Sequence, residues 1–577
     1  MKTILSLHQS MWRLLTLIIC VAIMSGCSSD SSTGGLGTGG TGTLSGIAKV
    51  DITDASGTGY ANVYVTITGV AFHSDKKAQF SNYSSGKVSG WQIFRLAVPK
   101  TVDLTQLSGG TTYSDLNGAS LFDGLPIPVG NYNQMRLFLA STEDAYVGSL
   151  AGLTYNNEVL LNGDNTEYPL RVPAAGEGIK VLPESPVVIA SGNISSLTLD
   201  FKLGDDVVAV SPNGSTEFVL KPRLGYFDMG NVGEIKGKIS FGNLTSSGIE
   251  VKAEQIDGSL GYRVVRRTTS INKTSGKFTL FPLPIFGNAT TAVYDILLRG
   301  NNVQTSIIKG VKIHRRSSPT TATYLKTITI QPGSEFTAQV GSVIHPTGMW
   351  MNFYQTIAGD SVPFEVRYRH LDPYTGLFKS ALELSTEPIQ VATYSPGISP
   401  VFVADNTSQG KFSMVANAVD LYTGGTPISG IRGTAGQTVL LTMATNNYPQ
   451  MIPGASPGTV NCVFDMTLLG TGTGPGMGAG NRTVGNPSKG QVFITYGGMI
   501  IDSIGSVNSN TTIADAMRAG GGTNNPVTLT TNLPSNVAGA VYGIYALGWG
   551  RGVFVGSNTL SVDLRSEMSS LATLLMR

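Results

Sequence analysis

The sequence predicts an all-β protein, a tandem array of β-sandwich domains behind an export signal and a flexible linker. Three observations carry that expectation. Charged residues make up only 13% of the chain, about half the usual quarter, while glycine reaches 72 of 577 residues. Apolar, β-branched runs are short and alternate with polar residues at the two-residue period of a half-buried strand. Clusters such as Asp123-Gly124, Asn162-Gly163-Asp164 and Pro212-Asn213-Gly214 punctuate them as turns.

The first element is the leader. Leu14 to Met24 is apolar, preceded by Lys2 and Arg13 and by no acidic residue, and it ends in Ser25-Gly26-Cys27. The run is shorter than the ~17 residues that span a bilayer, so residues 1–26 read as a cleavable export signal. Met24-Ser25-Gly26-Cys27 resembles the lipobox of bacterial lipoproteins. That resemblance implies a diacylglycerol on the Cys27 thiol, cleavage that makes Cys27 the new N-terminus, and attachment to a membrane through the lipid. Ser28, rather than Asp, follows it, which resembles the outer-membrane-sorted pattern and implies a cell-envelope location, periplasmic or surface-facing. Residues 27–44 form a Gly/Ser/Thr tether with nothing to bury, with a reach on the order of 20–25 Å. Its Gly37-Thr-Gly39-Gly-Thr-Gly42 matches a dinucleotide-binding pattern, but no strand precedes it and no helix follows, so the match is compositional.

Residues 45–229 read as a first sandwich. Ala61 to Thr68 alternates strictly, with Val63, Val65 and Ile67 on one face and Tyr64, Thr66 and Thr68 on the other. Similar runs recur at 91–96, 132–140, 187–190, 196–203, 207–210 and 218–220. Val50-Asp-Ile-Thr-Asp54, Ile127-Pro-Val-Gly130-Asn-Tyr132-Asn-Gln-Met-Arg136-Leu137 and the Leu199-Asp200-Phe201 to Leu220-Lys221-Pro222 segment resemble, in order, the motifs of DUF4382, a domain of unknown function of secreted bacterial and archaeal proteins. Ala55-Ser56 departs from that family's usual Ala-Pro, which should alter one turn. The resemblance implies a fold and names no activity.

Residues 230–340 read as a second sandwich. It opens on Gly233-Glu-Ile235-Lys-Gly237-Lys-Ile239 and continues through Ile249-Glu-Val251-Lys-Ala253, Gly276-Lys-Phe278 and Tyr294-Asp-Ile296-Leu-Leu298. The pattern is similar to carboxypeptidase regulatory-like modules of transthyretin (prealbumin) type, which implies a non-catalytic spacer or a sugar-proximal appendage. Residues 341–577 read as one or two further β-rich domains, immunoglobulin-like or prealbumin-like as the rest. They include strands near 364–369, 388–394, 401–404, 411–417, 439–442, 491–495 and 541–555, and a short helical piece near Thr512–Arg518. Leu564 to Arg577, with Met568, Leu571, Leu574 and Leu575 on one side of a helical wheel, predicts a docked terminal helix.

Charge narrows the function. The net charge of +2 resides in Lys2 and Arg13, so the chain beyond the leader is formally neutral, with no basic face for nucleic acid. The densest basic runs, Arg263-Val-Val-Arg-Arg267 and His314-Arg-Arg316, read as solvated strand ends. Cys462 stands alone in an apolar strand and reads as a small core residue. Gly454-Ala-Ser456-Pro-Gly458 matches a nucleophile-elbow pattern, but Pro457 in a Pro/Gly-rich stretch fits a turn. No zinc-protease motif, phosphate-binding loop or CxxC occurs, and His73, His314, His345 and His370 are scattered. Asp51, Asp54, Asp200, Asp205 and Asp206 offer oxygen ligands for Ca²⁺ but read first as turn and cap residues. Trp549 with Tyr545 and Tyr542, interleaved with small residues, could stack on a sugar, although the same spacing suits core packing. Trp91 and Trp350 are open to the same two readings. The expectation is a non-enzymatic, lipid-anchored envelope protein, a scaffold or adhesion module, with no metal or cofactor. Its expected partners are the membrane and either glycans or another envelope protein. The alternatives are a carbohydrate-binding surface protein and, behind it, a C-terminal hydrolase.

Overall fold

A computed structural model describes residues 44–575 except 55–59, 81–89, 174, 211–216, 223, 258–261, 317–320, 341–347, 371–381, 466–488, 505–526, 551–552 and 558–559. Cys27 and the leader lie outside the described residues, as does the helical piece expected near Thr512–Arg518. Strands dominate, with short helical turns such as Tyr113–Asn117 between them. No helix among the described residues is long and apolar enough to cross a membrane.

Four large hydrophobic clusters, each drawing on at least two sheets, make the sandwiches. In the first, Ser45–Asp54 runs parallel to Ile194–Phe201 and antiparallel to Phe122–Pro128. This sheet packs on a larger one built around Tyr60–His73. The alternation read at 61–68 holds: Val63, Val65 and Ile67 enter the core. Thr66, on the other face, is also buried, because its hydroxyl donates to Asn156 O at 2.6 Å and its amide to Asn157 Oδ1 at 3.1 Å.

The second cluster lies between a three-stranded sheet centred on Val232–Ser240 and a six-stranded sheet running Arg263–Ser270, Glu250–Ile256, Thr291–Arg299, Ser306–His314, Ile389–Thr393 and Val403–Asp405. The last two strands come from well beyond residue 340: Ser306–Lys309 pairs in parallel with Gln390–Thr393. Glu335–Val340 in turn belongs to the third cluster, where it pairs with Leu382–Ser385 and Thr438–Leu441 opposite the sheet of Trp350–Gln355, Phe364–His370, Phe412–Asn417 and Ile428–Ile431. Segments therefore cross between neighbouring sandwiches.

The fourth cluster closes the chain. Ser456–Asp465 lies between Val527–Ser535 and Ser569–Leu575, facing the sheet of Lys489–Tyr496 and Val541–Gly550. The terminal helix expected from Leu564 is instead the strand Ser569–Leu575, parallel to Thr459–Asp465. Ala572 and Leu574 are buried while Met568 and Leu571 are exposed, so a two-residue period decides the segment. Pairing with Ser569–Leu575 covers an edge of Thr459–Asp465 that would otherwise be open, whereas a helix of this length is only marginally stable by itself. Ser45–Arg577 forms one compact unit.

Candidate functional site

The arginine run Arg263–Arg267 builds the most unusual site. Its strand pairs with Glu250–Ile256, and the register slips between Ala253, opposite Arg267, and Glu254, opposite Val265. Arg266 is the extra residue of a bulge, which re-aims side chains along the strand. The run is not solvated, as its polarity suggested: Arg263, Arg266 and Arg267 are all buried, because carboxylates from three directions cover them. Arg263 pairs with Asp295 at 2.9 Å and Asp360 at 2.8 Å and lies 3.7 Å above the Phe364 ring. Arg266 pairs with Glu184 of the first sandwich and, at 3.1 Å, with Asp257. Arg267 pairs with Asp200 and donates to Asp54 O at 3.0 Å, again in the first sandwich. His314 and Arg316 are exposed, in keeping with their reading, while Arg315 between them is part-buried and donates to Ala289 O at 2.9 Å.

Beside this strand, the polar face of Glu250–Ile256 meets the polar face of the third sandwich. Glu250 accepts two bonds from Arg299, at 2.7 and 3.1 Å. Burial opposes its charge, but Arg299, Arg367 and Lys252 outweigh it and hold the carboxyl down at about 2. Asp360, burial likewise opposed, is held at about 2 by Arg263 and Lys309. Glu254 goes the other way: it is fully buried, and desolvation pushes it up to about 8 despite Lys252. Its Oε2 accepts the Glu365 amide at 3.2 Å. Lys252 reaches Glu365 Oε1 at 3.5 Å, and Asn352 donates to Glu365 Oε2 at 2.8 Å. Glu250, Lys252, Arg299, Asn352, Glu365 and Arg367 line a cleft of about 1050 Å³ that Glu184 and Lys202 of the first sandwich also border.

A second seam brings the end of the chain back to its beginning. The Lys180 amide donates to Gly497 O at 2.6 Å. Gly498 sits at φ +87°, where a Cβ would come within 2.6 Å of Ile179 Cα, so only glycine permits this approach. Glu177 accepts from Thr495 at 3.2 Å, and burial pushes its carboxyl up to about 7. Val208 and Val219 share a small apolar cluster with Phe493, Ile500, Tyr545 and Leu547.

With this geometry in place, comparison with known proteins adds one family. Residues 45–222 match DUF4382, a domain of unknown function. No curated protein sequence matches the chain. Among solved structures, the Bacillus anthracis TIE protein is 10% identical over 93% of this chain and 75% of its own, at a TM-score of 0.15. The shaft pilin spaA of Lactobacillus rhamnosus GG is 12% identical over 37% and 98%, at 0.12. The major pilin SpaD of Corynebacterium diphtheriae is 11% identical over 71% and 97%, at 0.13. At these scores the likenesses carry no functional inference.

The DUF4382 motif residues serve packing in this chain. Tyr132 donates to Pro128 O at 2.8 Å, closing its own turn. Arg136, fully buried, donates to Gly178 O at 3.0 Å and so holds the loop that meets the 495–498 hairpin. Asp51 accepts the Ser114 and Ile52 amides. Asp54 accepts the Leu203 amide at 3.0 Å, and Asp206 accepts that of Lys202 at 2.9 Å; the side chain of Asp205 lies outside the described residues. Asp51, Asp54, Asp200 and Asp206, offered as Ca²⁺ ligands, thus act as caps and pair partners, and the described residues contain no group of three metal-ligating side chains.

The stacking platform needs correction. Tyr542 and Tyr545 are 0% and 1% exposed. Tyr542 donates to Pro534 O from within the fourth core, and Tyr545 donates to Glu143 Oε1 at 2.6 Å across the second seam. Neither offers a face to a sugar. The side chain of Trp549 lies outside the described residues, while Trp91 and Trp350 are buried. Ser456 begins a strand and pairs with Ser535, not a strand-to-helix elbow. Cys462 is buried in the fourth core, and desolvation pushes its thiol up to about 12.

Proposed function

We propose that the protein is a non-enzymatic scaffold of a bacterial cell envelope, anchored by lipid at Cys27 and presenting its sandwiches as one stiff body beyond the 27–44 tether. One observation carries this reading: arginines are buried against carboxylates of neighbouring sandwiches instead of facing water. Burying an ion pair costs desolvation that its attraction repays only in good geometry, so such seams contribute fixed arrangement more than stability. A surface device that must hold its loops at a set distance from a membrane needs that arrangement, and binding of partners falls to the loops at the sandwich ends. Residues 230–340 take the spacer role that their likeness to carboxypeptidase regulatory-like modules implies.

Protease shaving of intact cells tests the location. A C-terminal tag should be lost from whole cells carrying the natural sequence and retained by cells carrying Cys27→Ala. A tag equally accessible in both would remove the anchor from the account, whereas a tag protected in both until the outer layer is breached would place the sandwiches on the periplasmic face.

A further inference from the structure

In the wall of the cleft, Lys252 and Asn352 share one carboxylate. Lys252 extends from the second sandwich and Asn352 from the third, both 5% exposed. A single carboxylate stands between them: Glu365 Oε1 faces Lys252 Nζ at 3.5 Å and Glu365 Oε2 accepts from Asn352 Nδ2 at 2.8 Å. On the other side of the same carboxamide, Asn417 Nδ2 donates to Asn352 Oδ1 at 2.8 Å. The four groups are an amine, a carboxylate and two carboxamides. An amine is a nucleophile once deprotonated, and a carboxylate in contact with it can take that proton. A carboxamide is a poor electrophile until a donor is aimed at its oxygen and an acid at its nitrogen.

We propose that Lys252 and Asn352 form an intramolecular isopeptide bond that staples the second and third sandwiches together, with Glu365 as the proton relay and Asn417 as the donor to the developing oxyanion. Glu365 takes a proton from the Lys252 ammonium. The freed amine attacks Asn352 Cγ, forming the C–N bond and moving the carbonyl electron pair onto Oδ1, where Asn417 holds it. Glu365 delivers its proton to Nδ2 and takes a second one from Nζ. Collapse of the oxyanion breaks the Cγ–Nδ2 bond, and ammonia leaves. The resulting carboxylic acid of Glu365 returns its proton to water, so the sum is one ammonium and one carboxamide converted to one substituted amide and one ammonium ion. No oxidant, metal or co-reactant enters. Water exclusion at two residues this buried suppresses competing hydrolysis, and holding the reactants against one carboxylate supplies the proximity the step requires.

The test is mass spectrometry of the purified full-length chain after tryptic digestion. The expected result is a branched peptide that joins the Lys252 and Asn352 segments, is lighter by one ammonia than the two together and is uncut after Lys252. Lys252→Arg, which keeps a cation beside Glu365, and Asn352→Ala should each abolish it. Glu365→Gln should leave Lys252 and Asn352 present but unlinked. Recovery of unlinked Lys252 and Asn352 peptides from the natural sequence overturns the proposal, as does a branch joining any other pair. A branch that persists at full yield in Glu365→Gln overturns the relay.

Discussion

Arg267→Ala should destabilise the protein by about 3–5 kcal/mol, the range for removing one partner of a buried ion pair. Asp200, the partner left behind, is 2% exposed and loses its guanidinium. Asp54 O loses a charge-assisted donor at the same stroke. The neighbourhood has little slack: burial already pushes the Asp54 carboxyl well above the ordinary carboxylate range, so a second buried acid stripped of its guanidinium adds to a desolvation cost already present there. Arg565→Ala provides the contrast. Its pair with Asp563 is about half exposed on both sides, and its loss should change stability by no more than about 0.5 kcal/mol. Urea unfolding of both variants checks the pair; equal effects would mean that the buried seam contributes no more than a surface contact.

The second large effect is on pH dependence. Glu254 holds its proton in the folded protein up to about 8, whereas an unfolded glutamate releases it near 4.5. The unfolded state therefore binds fewer protons between those values, and stability falls as pH rises through the window. Between pH 4.5 and pH 7 the loss from this group is roughly 3 kcal/mol. Glu177, pushed up to about 7, adds in the same direction. Glu250 and Asp360, held at about 2, act oppositely: their contribution is present above the ordinary carboxylate range and is lost as pH falls toward 2. Glu254→Gln, which can still accept the Glu365 amide, should match the natural protein near pH 4.5 and exceed it in melting temperature at pH 7. Parallel profiles would show that Glu254 is ionised in the folded state.

Much of the strand structure was legible because period-two alternation is local information. The runs at 61–68, 132–140 and 411–417 fall in strands, and Cys462 lies in a core as its apolar neighbours implied. The site was not legible, for a reason visible in Glu250-Val-Lys-Ala-Glu254. Alternation correctly sends Val251 and Ala253 inward, but it cannot say whether the opposite face meets water or another polar sheet. The groups that cover it, Asn352, Glu365 and Arg367, lie about a hundred residues downstream and carry no mark of their destination. The same ambiguity inverted the reading of Arg263–Arg267. At Tyr542 and Tyr545 the aromatics point to opposite faces of one strand, and both faces are covered, one by the fourth core and the other by the DUF4382 domain. Only the return of the chain's end to its beginning reveals that second cover. Leu564–Arg577 failed differently: a short segment fits both periods, and the open edge beside it chose the strand.

The central claim is that the sandwiches behave as one body. Scanning calorimetry of the natural protein at neutral pH tests it directly, because bodies joined through buried pairs unfold together while loosely tethered ones unfold separately. The account predicts a single transition whose van't Hoff and calorimetric enthalpies agree. Resolved transitions, one for each hydrophobic core, would contradict it.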